Sequence, residues 1–387
     1  MKIWILALMA GWLLGPVSVQ AAVKDWTLLV FINGHNNLDS YGDADINEME
    51  MVGSTDAINV VVQRATLKQN TMRLFVTKDA NVKKITSPVV QDLGKKVDMG
   101  NYQNLTEFVK WGATAYPAKR YFVVVWNHGS GWHRSHQLTR GISYDDVYNS
   151  HITTPQLGLA MKDIGAAIGH KVDVLGMDAC LMAMPDIASE FSDYVETYVA
   201  SEETEPLEGW PYDALLTKWA QNPTWKPNEV AAHLTDAYIK SYSGGSQGTD
   251  EATTLSAFDL TMLDKLERAI LDLGKSIRAM SATEKAKVLK AISQSVGFYY
   301  NDYKDLGDFM MNMRKAGVRG DITIEVEALL TKFVVSNAVS PKFPKAKGAA
   351  FWLPSSSSTF KFYKAQYAAL QFHKRTEWGL ALEALFP

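Results

Sequence analysis

The sequence predicts an α/β fold: a mainly parallel sheet covered by helices on both faces, followed by a mostly helical carboxyl-terminal region. Three observations carry this. Apolar, β-branched or aromatic runs of strand length recur at 26–32, 58–63, 72–77, 121–126, 171–177 and 194–201. Amphipathic stretches lie between several of them, and strand–helix alternation is the pattern of parallel sheets packed between helices. Beyond the turn-rich segment 223–228, helical periodicity dominates at 227–241, 256–280 and 282–294.

Each of the earlier helices has its own signal. In 44–52, Ile46, Met49 and Val52 share one face; in 105–113, Leu105, Phe108, Val109 and Gly112 do. The stretch 156–168 follows Thr154-Pro155, a cap and first-turn pair. Residues 79–96 lack such periodicity and read as a hairpin with a loop. Residues 242–249 and 355–359 read as flexible loops, and no internal repeat is visible.

The chain has 387 residues, and its first 21 read as an export signal. Lys2 is the positive start, 3–14 the apolar segment, and Val19-Gln20-Ala21 a small-residue cleavage site. Cleavage after Ala21 predicts a secreted or periplasmic protein. No later stretch reaches the roughly 18 uninterrupted apolar residues of a membrane span. The rest divides into a catalytic α/β domain over 22–225 and a helical region over 226–387 that packs on it. With 39 basic and 42 acidic residues and no basic stripe, nucleic acid is excluded as a partner. The 11 Trp, 16 Tyr and 15 Phe read chiefly as core.

Cys180 is the only cysteine. It follows the strand Lys171-Val-Asp-Val-Leu-Gly-Met177 and Asp178-Ala179, and 181–191 reads as a helix. The thiol is therefore expected between the carboxyl end of a strand and the amino end of a helix. In open α/β sheets that crevice is where ligands bind, and a helix amino terminus favours the thiolate. A small buried hydrophobe is the plainer alternative. His128 sits 52 residues earlier, in Asn127-His128-Gly129-Ser130-Gly131-Trp132 after the strand 121–126. A cysteine that attacks a carbonyl needs a proton partner, and histidine is the usual one. Gly129, lacking a side chain, lets its N–H approach a substrate carbonyl; with the Cys180 N–H it would form an oxyanion hole.

The His128-Gly129 and Asp178-Ala179-Cys180 pair, each after a strand, resembles the clostripain-like cysteine peptidases, which share the caspase-type α/β/α sandwich. The resemblance extends to 199–206, Gly209-Trp-Pro-Tyr212, 27–39, 348–354 and the final helix at Trp378. It implies an endopeptidase that cuts protein or peptide substrates after Arg or Lys. In that reading Asp178 lines the pocket for the basic side chain, where otherwise it would cap the following helix. Glu203 is a second candidate carboxylate for the same pocket, with Glu202 beside it. The resemblance also implies self-cleavage in the loop after His128, with Arg140 the chosen site and Arg134 the alternative. No cofactor is required for the chemistry. Ca2+ is a candidate ligand, at Asp43-Ala-Asp45-Ile-Asn47 or Asp145-Asp146, although neither pattern matches a calcium loop.

Among the other histidines, His35 departs from the acidic residue that relatives often carry near that place, and it reads as a loop cap or rim residue. His133, His136 and His151 read as solvated. The competing function is a catalytically silent caspase-like protein that binds peptides or glycans through Trp132, Tyr144, Tyr148 and Trp210. A thiol amidase on a non-protein substrate is the remaining alternative.

Overall fold

The computed structural model describes residues 23–95, 97–133, 141–250 and 252–387. The predicted export signal, Arg134, His136 and Arg140 lie outside the described residues.

One nine-stranded sheet organises the molecule. From one edge its strands are Val334–Val339, Thr254–Asp259, Val195–Ala200, Val172–Asp178, Ala118–Trp126, Lys24–Gly34, Ile58–Thr66, Met72–Phe75 and Val89–Asp92. The five central strands run parallel, and two antiparallel strands close each edge. The continuous apolar runs follow from burial on both faces. Along Lys24–Gly34, Leu29 and Phe31 face one core, and Leu28, Val30 and Ile32 face the other. Ala118–Trp126 divides in the same way, with Val123 and Val125 against Phe122, Val124 and Trp126.

The helices Tyr102–Ala115, Thr154–Ile168 and Leu263–Ala279 cover the first face. Asp39–Glu50, Tyr212–Gln221 and Pro227–Ser241 cover the second. The result is the predicted α/β/α sandwich. The hairpin expected within 79–96 is displaced: that stretch contributes one strand, Val89–Asp92, which pairs with the earlier Met72–Phe75.

Four further sequence expectations need correction. Residues 242–249, read as a loop, form a small hairpin, Ser243–Gly245 with Gly248–Thr249. Residues 256–259 belong to the strand Thr254–Asp259, and the helix starts only at Leu263. A short apolar run is ambiguous between the two states, and here the gap between Val195–Ala200 and Val334–Val339 decides it. The region beyond 226 is thus mostly helical but also gives the central sheet two strands. Residues 355–359 begin a helix, Ser357–Tyr367, and the Ser356 hydroxyl caps it by accepting from Thr359 N–H. Finally, the helix expected over 181–191 shrinks to Pro185–Ala188. Pro185 holds Met184 extended, so no helix can begin nearer the cysteine.

Candidate active site

The sheet register brings His128 and Cys180 together. Trp126 on one parallel strand is the register partner of Asp178 on the next. Each candidate residue lies two positions beyond that pair, and neighbouring strands are about 4.8 Å apart. Both residues line one narrow cleft, with Leu38, Asn127, Asp178, Glu205 and Gly209. The register continues past the strands through Asn127 N–H, which donates to Asp178 O at 3.2 Å.

The histidine loop is tied down by its neighbour. The Asn127 side-chain amide donates to Asn33 O at 2.7 Å, and its oxygen accepts from Tyr144 N–H at 2.7 Å. The His128 Nε2 is 2.8 Å from Asn37 Oδ1. Gly129 faces the Cys180 backbone so closely that only a residue without Cβ fits there.

Cys180 leaves its strand through a sharp turn. Leu181 has φ 65°, a left-handed conformation that costs a bulky residue about 1–2 kcal/mol. Burial of its side chain and an N–H bond to Glu203 O at 3.0 Å hold it there. The helix amino terminus expected to favour the thiolate is absent at this position. Burial instead pushes the Cys180 thiol up, only partly countered by Glu205 N–H, which donates to Sγ at 3.3 Å. The neighbouring Glu203 and Asp178 push in the same direction as burial. The resting residue is therefore a thiol at neutral pH.

One wall of the cleft is acidic. Asp178 is 5 % exposed, and its Oδ2 accepts from Tyr212 Oη at 2.8 Å. Burial pushes its carboxyl up to about 6. It does not cap Pro185–Ala188. Glu205, with buried carboxyl oxygens, lies beside it; burial and the nearby Asp178 hold it well above the usual carboxylate range. Behind them, Asp45 Oδ2 accepts from Trp126 Nε1 at 2.5 Å. Glu48, which accepts from Tyr212 N–H at 3.0 Å, is pushed up to about 8 by burial and Asp213.

Glu203, the second acid predicted for this pocket, faces elsewhere. Its Oε1 accepts from Thr204 and Tyr299 N–H at 2.8 and 3.1 Å, and it does not line the cleft. The acid that does is Glu205, two residues on.

The remaining expectations sort by burial. His35 is buried, with Nδ1 2.7 Å from Asp145 Oδ2, which fits the loop-capping role. His133 is not solvated. It is 2 % exposed, pairs with Asp302 at 2.9 Å, and lines a separate hollow of about 420 Å³ with Tyr299, Tyr300, Phe362 and Tyr363. Of the proposed binding aromatics, Trp132 and Trp210 are core residues at 3 % and 0 % exposure. Several of the calcium candidates already have partners. Asp43 pairs with Arg64, Asp45 accepts from Trp126, and both oxygens of Asp145 are taken by backbone N–H groups and His35. Among the described residues no group of three or more His, Cys, Asp or Glu converges on a metal-sized position.

Comparison with known proteins bears on the fold and the family. Clostripain of Hathewaya histolytica is 22 % identical over 238 residues, 54 % of this chain and 45 % of clostripain. The chain thus spans less than half the length of that relative. A secreted C11 cysteine protease from Bacteroides thetaiotaomicron, solved with an irreversible peptide inhibitor, superposes with a TM-score of 0.71 at 18 % identity. So does an inactive zymogen C11 protease from Parabacteroides distasonis, again at 0.71 and 18 %. Each covers 92 % of this chain and 99 % of its own, and these likenesses show a shared fold. The model of the Clostripain family matches residues 30–384, nearly every described residue, so the chain belongs to the clostripain family.

Proposed function

We propose that this chain is an exported cysteine endopeptidase that uses a His128–Cys180 dyad and cuts after Arg or Lys. The observation that carries it is the shared register of His128 and Cys180 at two adjacent strand ends, opening on one cleft beside Asp178. Membership of the family supports the reaction class.

Since Cys180 rests as a thiol, proton transfer to His128 accompanies attack on the scissile carbonyl carbon. A C–S bond forms, and the carbonyl oxygen becomes an oxyanion held by the N–H groups of Gly129 and Cys180. Collapse breaks the C–N bond, and the leaving amine takes the proton from His128. Water, losing a proton to His128, then attacks the thioester and frees the acid and the thiol. A basic side chain before the scissile bond would enter the wall formed by Asp178 and Glu205. A buried carboxylate favours a guanidinium or ammonium and leaves an apolar side chain facing an unpaired charge. Export rests on the signal-like first 21 residues. No described helix is long and apolar enough to cross a membrane.

A peptidyl-Arg acyloxymethyl ketone tests the proposal. It should label Cys180 stoichiometrically, and a peptidyl-Leu analogue should label it far more slowly. Equal labelling by both would overturn the basic preference. No labelling and no peptide turnover would overturn the peptidase reading.

A further inference from the structure

We infer that Asn37 is a positioning residue for His128: its side-chain carbonyl accepts the Nε2 proton and so fixes the tautomer and the ring at the edge of the cleft. This rests on the peptidase reading above but adds a third member to the dyad.

The distance from Asn37 Oδ1 to His128 Nε2 is 2.8 Å. An amide oxygen only accepts, so Nε2 is the protonated nitrogen and the tautomer is fixed. Asn37 itself is exposed, and an exposed side chain can position a ring only if its backbone is held. Here the residues on either side of Asn37 are clamped. Asn36 donates from its amide to Tyr144 O at 2.7 Å and accepts from Leu38 N–H at 3.0 Å. His35 pairs with the buried Asp145 at 2.7 Å, and Asp146 N–H donates back to His35 O at 3.0 Å. Asn33 donates to Ser143 Oγ and Tyr144 O at 3.2 and 3.0 Å. Tyr144 is also the residue whose N–H holds Asn127, next to His128. One turn, 142–146, therefore fixes both the loop that carries Asn37 and the loop that carries His128. This gives the unexpected His35 a purpose: it anchors the loop and stays out of the chemistry.

The chemistry gains in two ways. A fixed tautomer removes a conformational search before each proton transfer. When His128 becomes an imidazolium, a neutral amide oxygen supports its Nε2–H without adding a full negative charge that would hold the proton back from the leaving amine.

Asn37→Leu removes the acceptor at similar volume; Asn37→Asp keeps it and adds charge. With a peptidyl-Arg substrate, Asn37→Leu should lower kcat by about 10²-fold with KM and Tm close to wild type. Asn37→Asp should retain most of kcat and move the His128-dependent limb of the pH profile up by about 1 pH unit. Imidazole ¹⁵N NMR in a Cys180→Ala background gives a readout independent of turnover. It should show His128 as the Nε2–H tautomer, and a mixture once Asn37→Leu is added. Wild-type kcat in Asn37→Leu, or equal losses in both variants with an unmoved pH limb, would overturn the assignment. So would an Nδ1–H tautomer in the presence of Asn37. If the NMR result holds while Cys180 proves unreactive, the peptidase reading fails and the positioning contact stands.

Discussion

A methyl group built on Gly129 would lie 2.5 Å from the carbonyl oxygen of Cys180 and 3.0 Å from the Ala179 side chain. The obstacle is backbone, so it cannot swing away. The two residues that flank the scissile carbonyl in the proposed reaction are thus in direct contact, and the spacing of the oxyanion donors is set by that contact.

Gly129→Ala should therefore push the histidine and cysteine loops apart. We expect kcat to fall by about 10²-fold, the loss typical of a misplacement near 1 Å, with far-UV circular dichroism unchanged. A wild-type kcat in this variant would show that the contact has slack.

Replacement of the dyad itself should be more severe. Cys180→Ala should abolish turnover of a peptidyl-Arg substrate. His128→Ala should lower it by about 10²–10⁴-fold before any effect on geometry. Both variants should stay folded; His128 is outside the two cores, and Cys180 packs only against the edge of the first.

Selectivity should depend on pH through the acidic wall. With Asp178 pushed up to about 6, its charge is present above that pH and lost below it. KM for an Arg substrate should fall as pH rises through about 6, and KM for a matched neutral substrate should not. Asp178→Asn should remove this dependence and reduce kcat/KM for Arg and Lys far more than for neutral side chains. Equal losses on both classes would assign Asp178 a purely structural role.

Stability should respond to pH through a different acid. Asp186 is fully buried, accepts from Tyr367 Oη at 2.7 Å, and is pushed up to about 7 by burial. Its folded pKa lies above its ordinary value of 3.8, so its contribution is fully present below about 4 and is lost as pH rises through about 7. Asp186→Asn keeps an acceptor for Tyr367 but cannot ionise. Relative to wild type, its Tm should rise by about 3 °C more at pH 8 than at pH 5 in thermal melts. The same difference at both pH values would show that Asp186 does not titrate in this range.

Self-processing at Arg140-Gly141 is a separate question. Mass spectrometry of wild-type protein and Cys180→Ala after incubation decides it. We expect a cut after Arg140 in wild type only. A fully active wild-type protein with an intact 140–141 bond would remove the idea, and a cut after Arg134 would relocate it. The strands Ala118–Trp126 and Val172–Asp178 lie on opposite sides of that bond and stay paired, so the pieces should co-elute.

Much of this was legible in the sequence because each signal was local. The six central or near-central strands are continuous apolar runs, and their ends carry His128 and Cys180. The parts that were not legible depend on tertiary context. Thr254–Asp259 and Val334–Val339 are short segments whose strand identity comes from the sheet edge they complete. The helix after Cys180 failed because Pro185 and the left-handed Leu181 override an apolar pattern that also suits a helix. Glu203 and Glu205 have the same chemistry in one polar run, and only the exit path of the chain separates them. Asn37 lies 91 residues from His128, and nothing in the local pattern of either links them.

The strand Lys24–Gly34 has a kinetic consequence. Among the described residues it is the first strand in the sequence, yet it lies inside the sheet between Ile58–Thr66 and Ala118–Trp126. Until Trp126 has emerged, one side of this buried strand has no partner, and closing that gap requires long parallel crossovers. Such distant pairings form slowly. Folding should therefore be delayed until well over a hundred residues are available, and, under the proposed export, a pause of that kind would keep a newly made chain threadable through a narrow channel.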